Sequence, residues 1–299
     1  MKKVSDPSLK PAIRLKACDT LIQFGYVSAA LPCLRSLVPN PKIGGNARLL
    51  QRTGEYLLRR GLVNDSDPAG ADLRGKGRTL ISEDTHSGLW RSLDPKLAAE
   101  NLVIVFTGVS RQFWISLDIL HRILGRYFGQ IVYLRDFRSI YYLAGVGDWG
   151  GYGDTLEQLR NIAGKAKAKK LYVIGISAGG FAALKYGLDL SADAILSLSP
   201  RTELSYMQQR EKSANRLRRL RIPTDALDLL PVYDQAPRRP RTTIVYGAKN
   251  EIDTTQAERL AHLPEIHLMP LPGVAAHNIM THLLAGGQFD RYLQQLLTR

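Results

Sequence analysis

The stretch Leu171-Tyr-Val-Ile-Gly-Ile-Ser-Ala-Gly-Gly180 is the most informative about the fold of this chain, because it places Ser177 between a predicted strand and a predicted helix. An apolar run, LYVI, stops at a glycine, and Phe181, Leu184 and Leu188 then recur at helical spacing. The small neighbours of the serine, in the pattern G-x-S-x-G, allow a turn whose backbone dihedral angles larger residues would not tolerate. The pattern therefore predicts a serine hydroxyl exposed at the end of a strand.

A serine at this position is compatible with two roles. The helix that follows directs backbone N–H groups and the positive end of its dipole toward the turn, where they would stabilise an oxyanion, and this favours a nucleophile. The alternative is an ordinary strand-to-helix turn whose serine caps the helix. The strand before Ser177 and the helix after it favour the nucleophile.

The strand, serine turn and helix resemble the α/β-hydrolase superfamily, in which the serine is followed along the chain by an acid and then a histidine. Three later apolar runs predict strands at 194–198, 243–246 and 266–269. Asp253 follows the second run and His277 follows the third, where the resemblance implies the acid and the base. Glu251 is the alternative acid. His267, inside a predicted strand, is expected to be structural, and His282, on the helix after His277, is expected to face a packed or solvated side.

The resemblance also implies the role of each group. Ser177 would attack a carbonyl carbon, His277 would take the hydroxyl proton, and Asp253 would hold the imidazole in the correct tautomer. The backbone N–H of Ala178 and that of Val109, in the loop after a strand at 102–107, would form the oxyanion hole. That loop reads TGVSRQ, which departs from the HGGG of some lipases and esterases.

Strand and helix patterns alternate regularly from residue 102 onward. Strands are predicted at 102–107 and 131–134 and helices at 114–127 and 155–166, after opening strands within 79–92. Such alternation predicts an α/β fold with a mostly parallel sheet covered by helices on both faces. A polar insertion at 200–241 interrupts the pattern, where the resembling family usually has a lid or cap.

The first part of the chain has a different pattern. Three amphipathic helices are predicted at 9–24, 27–38 and 47–62, and a turn-rich linker follows them. We therefore expect a helical extension at 1–64, a linker at 65–78 and a hydrolase domain at 79–299. The stretch AALPCLRSLVPNP loosely resembles one helix of a tetratricopeptide repeat, and one such unit cannot bury its own face. The extension is expected to pack on the core, or on a protein partner or second subunit.

The glycine-rich segment Gly145-Val-Gly-Asp-Trp-Gly150 matches G-x-G-x-x-G, but no predicted strand ends immediately before it. A dinucleotide site is therefore disfavoured, and no cofactor is expected. An adaptable wall of a substrate site suits the loop better, because it combines glycines with aromatic side chains. The predicted wall includes Trp149, Tyr152 and Arg135, with Tyr141 and Tyr142 nearby.

The chain carries a formal net charge of +14, and its basic residues cluster at 165–170, 210–221 and 238–241. Basic groups beside a cap would raise the local concentration of anions, which makes an anionic carbohydrate, a phosphate-bearing thioester or an anionic lipid surface a plausible substrate. The alternative is a solvated basic surface without a ligand. Specific nucleic-acid binding is disfavoured, since the aromatic residues do not lie between the arginines.

Composition excludes several other classes. No apolar run reaches the roughly 18 residues of a membrane helix, and the start MKKVSDPSLK lacks the apolar centre of a secretory signal. The two cysteines, Cys18 and Cys33, are too few for a disulfide scaffold or a metal cage. A cytoplasmic protein without a structural metal is expected.

These inferences lead to a metal-free serine hydrolase that cleaves an ester or thioester, of a small molecule or a carbohydrate, through an acyl-enzyme. Acyl transfer to another acceptor would use the same residues. A non-catalytic accessory protein that binds an anionic partner is the alternative from a different class.

Overall fold

The computed structural model of the protein describes residues 4, 6–63, 78–83, 87–92 and 101–298. The chain divides into two compact units. The helical unit comprises Met1–Lys76, Gln112–Tyr127 and Met280–Gln295, and the sheet unit comprises Gly77–Arg111, Phe128–Ile279 and Leu296–Arg299. The predicted linker at 65–78 lies, except for its last residue, outside the described residues.

Helices account for much of the described chain. They are, in chain order, α1 (Pro11–Gln23), α2 (Val27–Leu37), α3 (Gly44–Arg59), α4 (Leu117–Leu124), α5 (Tyr152–Lys165), α6 (Ala178–Asp189), α7 (Tyr206–Gln209), α8 (Glu211–Arg219), α9 (Leu230–Gln235), α10 (Glu251–Glu258), α11 (Met280–Ala285) and α12 (Gln288–Thr298). Short 3₁₀ helices occur at Gly147–Trp149 and Asp225–Leu227. Within the described ranges, no helix is both long enough and apolar enough to cross a membrane. The cytoplasmic location stays a prediction.

The described residues of the sheet unit form an eight-stranded sheet. Its strands are β1 (Arg78–Glu83), β2 (Ser87–Ser92), β3 (Asn101–Phe106), β4 (Gln130–Leu134), β5 (Lys170–Ile176), β6 (Ala194–Leu198), β7 (Arg241–Gly247) and β8 (Ile266–Leu271). They lie in the order β1-β2-β4-β3-β5-β6-β7-β8. The six strands β3 to β8 are parallel to one another, and β1 and β2 pair antiparallel at one edge. The predicted α/β fold with a mostly parallel sheet is therefore confirmed.

The centre of the sheet is buried, and α6 lies very close to it. β4 and β6 are buried along their whole length, as expected for parallel strands covered on both faces. A Cβ atom at Gly179 would lie 2.1 Å from the carbonyl oxygen of Phe106, and one at Gly175 would lie 2.0 Å from the carbonyl oxygen of Gly179. These glycines therefore let the first turn of α6 approach β3 and β5, which fixes the position of Ser177 at the end of β5.

In the helical unit, α1 to α3 begin and end close to the predicted helices, and α11 packs against α3. Thr53 Oγ1 on α3 donates to the carbonyl oxygen of Thr281 on α11 at 3.1 Å. The resemblance to a tetratricopeptide helix stays a prediction.

The predicted helix at 114–127 is shorter in the structure. Ser116 caps α4, because its Oγ accepts a hydrogen bond from the N–H of Ile119 at 3.4 Å. Trp114 has a φ of 69°, which is incompatible with a right-handed helix. The insertion at 200–241 also differs from a plain polar loop, since α7, α8 and α9 lie within it.

Candidate active site

Ser177 occupies a sharp turn between β5 and α6. Its φ of 54° and ψ of −116° are strained for a residue with a side chain. Its N–H donates to the carbonyl oxygen of Leu198 at 2.8 Å, and its own carbonyl oxygen accepts from Gly180 and Phe181, which begin the helical ladder. The side chain makes no capping hydrogen bond to α6, so the capping interpretation of this serine is wrong.

His277 lies between the serine and a carboxylate. Its Nε2 is 2.8 Å from Ser177 Oγ, and its Nδ1 is 2.8 and 2.9 Å from the two carboxylate oxygens of Asp253. A carboxylate can only accept, so we assign the proton of the neutral ring to Nδ1. Nε2 is then free to accept a hydrogen bond from the serine hydroxyl. The three side chains form one continuous chain of hydrogen bonds.

Asp253 belongs to the first turn of α10 and is 1 % exposed, whereas the His277 side chain is 41 % exposed. The buried carboxylate is shielded from water, so its attraction for a positive charge on the imidazole is stronger than at the surface. Glu251, the alternative acid, is exposed at the start of the same helix. Both carboxylate oxygens beside His277 belong to Asp253.

Asn250 fixes the loop of the acid to the loop of the histidine, a connection that sequence reasoning missed. Its side-chain oxygen caps α10 by accepting from the N–H of Asp253 at 3.0 Å, and its amide nitrogen donates to the carbonyl oxygen of Ala275 at 3.2 Å. Lys249 N–H also donates to Val274 in the same loop, at 2.8 Å. An Asn three residues before an acid at a helix start was the available signal.

The other histidines that were considered lie elsewhere. His267 is exposed on β8. His282 belongs to α11 of the helical unit, and burial lowers the pKa of its imidazole. The imidazole within hydrogen-bond distance of Ser177 is that of His277.

The predicted oxyanion donors flank the turn. Ala178 is the first residue of α6, so its N–H has no acceptor within the helix. The loop after β3 touches the same turn, since a Cβ atom at Gly179 would lie 2.5 Å from the carbonyl oxygen of Thr107. Val109, two residues further on, has a side chain that is 58 % exposed. The assignment of the Val109 N–H as second donor stays a prediction.

The predicted substrate wall includes Tyr152, whose place in it stays a prediction. Its hydroxyl donates to Asp189, the last residue of α6. A helix rises about 1.5 Å per residue, so this end of the 12-residue α6 lies roughly 18 Å from the serine turn. Trp149, partly buried in its 3₁₀ helix, and Arg135, half-buried after β4, stay predictions.

Tyr141 packs against the first turn of α6, and Tyr206 is hydrogen-bonded to it. The ring of Tyr141 packs against the ring of Phe181, which lies one turn after the serine, and the two ring centroids are 5.8 Å apart. Its hydroxyl is 2.6 Å from that of Tyr206 on α7. Burial, and then the hydrogen bond with Tyr206, raise the pKa of the Tyr141 phenol, so it stays protonated at neutral pH.

Asp136 stabilises the loop that contains Tyr141, because its carboxylate accepts hydrogen bonds from the N–H groups of Ile140 and Tyr142 at 2.7 and 3.1 Å.

Comparison with known proteins agrees with this architecture. No family model and no curated protein matches the chain. Among solved structures, it is similar to an S-formylglutathione hydrolase from Agrobacterium tumefaciens, with 13 % identity and a TM-score of 0.50 over 73 % of this chain and 94 % of that one. It is also similar to Porphyromonas gingivalis dipeptidyl peptidase 4, with 14 % identity and a TM-score of 0.50 over 74 % of this chain and 35 % of that one. The fold is that of the α/β-hydrolases.

Proposed function

We propose that this protein is a serine hydrolase that cleaves an ester or thioester through a covalent acyl-enzyme. The observation that carries the proposal is the hydrogen-bonded chain from Ser177 through His277 to the buried carboxylate of Asp253. The strained turn under the serine supports it, because such conformations concentrate at functional sites.

The first half of the reaction forms the acyl-enzyme. The Oγ of Ser177 attacks the carbonyl carbon while its proton passes to Nε2 of His277. The imidazolium that forms is stabilised by the Asp253 carboxylate, which already contacts Nδ1. The negative charge on the former carbonyl oxygen is stabilised by the N–H of Ala178 and by a second N–H from the loop after β3.

The second half releases the acyl group. His277 gives its proton to the leaving alcohol or thiol, and water then attacks the acyl-enzyme with the same imidazole as base. The partial exposure of the His277 side chain, 41 %, supports access of water to this base. We therefore favour hydrolysis over transfer to another acceptor, although transfer would use the same three residues.

Replacing Ser177 with Ala tests the proposal. Loss of a working nucleophile should lower the hydrolysis of p-nitrophenyl acetate by roughly 10⁴-fold or more and abolish labelling by a fluorophosphonate probe. Peptide mass spectrometry of the labelled wild-type protein should place the adduct on Ser177. Ser28→Ala, at an exposed position of α2, serves as the control and should keep both signals.

Circular dichroism of the Ser177→Ala variant should match that of the wild-type protein. Near wild-type hydrolysis or labelling by the folded variant would show that another residue is the nucleophile.

A further inference from the structure

Two arginines converge on one tyrosine of the insertion. The guanidinium carbons of Arg201 and Arg210 lie 5.8 and 5.5 Å from the centre of the Tyr206 ring. Both distances fall within the range of a cation–π interaction. Both positive charges therefore lie within 6 Å of the centre of the same ring, one from the start of the insertion and one from the segment before α8.

This group lies beside the serine turn. A Cβ atom at Gly180, three residues after Ser177, would lie 3.1 Å from the Cα of Pro200, so the segment just before Arg201 touches the first turn of α6. From the other direction, Tyr206 is hydrogen-bonded to Tyr141. Tyr141 in turn packs on Phe181, which belongs to that same first turn.

The two arginines differ from the paired arginines of the insertion and the elements around it. Arg259 contacts the carboxylate of Asp228 at 2.7 Å, and Arg239 lies 3.7 Å from the carboxylate of Glu265. Among the described residues, neither Arg201 nor Arg210 forms a salt bridge or a side-chain hydrogen bond. Two like charges near the positive end of the α6 dipole repel each other, and a bound anion would relieve that repulsion.

The segment that carries Arg201 is held in place by the helix that carries the acid. The side-chain oxygen of Gln256, on α10, accepts from the N–H groups of Thr202 and Glu203 at 2.6 and 2.9 Å. The same helix contains Asp253. The backbone after Arg201 is therefore fixed relative to the site without using the arginine itself.

We propose that Arg201 and Arg210 form a subsite for an anionic group, so that the preferred ester or thioester carries a carboxylate or phosphate close to the bond that is cleaved. The inference rests on the proposed hydrolase function and specifies its substrate class. A guanidinium presents parallel N–H donors in a plane, which matches the geometry of both anions. The charged group belongs either to the acyl part or to the alcohol part of the substrate.

The test compares matched charged and neutral esters. p-Nitrophenyl hemisuccinate and p-nitrophenyl butyrate differ by a carboxylate on the acyl side, and 4-acetoxybenzoate and phenyl acetate differ by one on the alcohol side. In the Arg201→Gln/Arg210→Gln variant, the ratio of kcat/KM for the charged ester to that for its neutral partner should fall about 10- to 100-fold in at least one pair. The pair that responds identifies the side of the substrate that carries the charge.

Arg218→Gln/Arg219→Gln is the matched control, because these two exposed residues of α8 lose the same two charges within the same insertion. It should leave both ratios within a factor of two of the wild-type values. Arg201→Lys/Arg210→Lys, which keeps the charge but not the planar donors, should recover part of the lost preference. Equal ratios in the double Gln variant and the wild-type protein would overturn the subsite.

Binding of succinate, measured by calorimetry with the Ser177→Ala protein, separates this inference from the proposed function. Binding that disappears when the two arginines are also replaced by Gln supports the subsite even if no ester is hydrolysed. Binding that survives this replacement, or that is absent from Ser177→Ala itself, overturns the subsite and leaves hydrolysis of neutral esters unaffected as a proposal.

Discussion

At the scale of single residues, the conformation of Ser177 is the most informative feature. A non-glycine residue in this part of dihedral space costs about 1–3 kcal/mol, so the surrounding structure must enforce it. Hydrogen bonds from Ser177 N–H to Leu198 and from the α6 N–H groups to its carbonyl oxygen do so. The strain therefore leaves the hydroxyl free of the helix and directed at His277.

Replacing Asp253 with Asn tests the proposed role of the acid. The amide keeps the shape of the carboxylate but favours the wrong imidazole tautomer, so kcat for p-nitrophenyl acetate should fall by roughly 10³- to 10⁴-fold. Glu251→Gln removes a charge two residues away on the same helix and should change kcat less than about threefold. Steady-state kinetics of both purified variants is the measurement. A larger loss in Glu251→Gln would return the role to the alternative acid.

The sequence predicts that Ser177, Asp253 and His277 lie near one another, because each follows a predicted strand and parallel strands bring their carboxyl ends to one edge of the sheet. The hydrogen bond from Asn250 to the loop of the histidine could not be predicted, since it depends on where the two loops meet. The hydrogen bond of Tyr152 could not be predicted for a related reason. Its neighbours in sequence suggested a flexible loop, whereas its hydroxyl is bonded to the far end of α6.

At the scale of elements, the packing of α6 on the sheet depends on two glycines. Gly175 on β5 and Gly179 on α6 leave no room for a Cβ atom, because backbone atoms would lie 2.0 to 2.1 Å away. Backbone cannot move aside as the end of a flexible side chain can. The helix must therefore approach the strand this closely to hold the serine turn.

Gly179→Ala should consequently destabilise the protein by at least about 3 kcal/mol, because the added methyl group overlaps the carbonyl oxygen of Phe106. Gly164→Ala is the control on α5, where no atom lies within 4 Å of the added Cβ, and it should leave stability unchanged or raise it by up to about 1 kcal/mol. Urea unfolding followed by circular dichroism measures both. Equal stability of the two variants would contradict the close packing of α6.

The insertion at 200–241 contains a short helix and a contact that could not be predicted from the sequence. Its polar residues predict exposure, and Arg218 and Arg219 of α8 are indeed exposed. No periodicity in so short a stretch marks α7, which has four residues. The contact of Tyr206 with Tyr141 is also invisible to sequence patterns, because it joins two residues that are 65 positions apart in the chain.

At the scale of the whole molecule, each of the two compact units is built from separate stretches of the chain. The helical unit takes in 112–127 and 280–295 as well as the N-terminal helices. Local sequence patterns indicate where helices form, but they do not show which helices, distant in the chain, pack into one core. The sequence therefore predicts a contiguous helical extension at 1–64. We propose instead that α1 to α3 are an integral part of a discontinuous unit.

Asp290 joins the distant parts of the helical unit. Its carboxylate accepts from the hydroxyl groups of Tyr56 on α3 and Tyr127 after α4, at 2.7 and 2.8 Å. Arg60, just after α3, forms a salt bridge with it at 3.1 Å. Burial, and then the bond to this carboxylate, raise the pKa of Tyr127 to about 12, so its hydroxyl remains a donor at neutral pH.

Asp290→Ala should therefore destabilise the helical unit by about 2–4 kcal/mol, because two tyrosine hydroxyls lose the carboxylate that accepts their hydrogen bonds. The effect should reach α3, more than 200 residues earlier in the chain, as faster hydrogen exchange of its backbone amides. Arg291→Ala, at the exposed neighbouring position, should leave that exchange unchanged. If α3 keeps its protection in Asp290→Ala while α12 alone loses it, the N-terminal helices form a self-contained extension and the discontinuous unit is wrong.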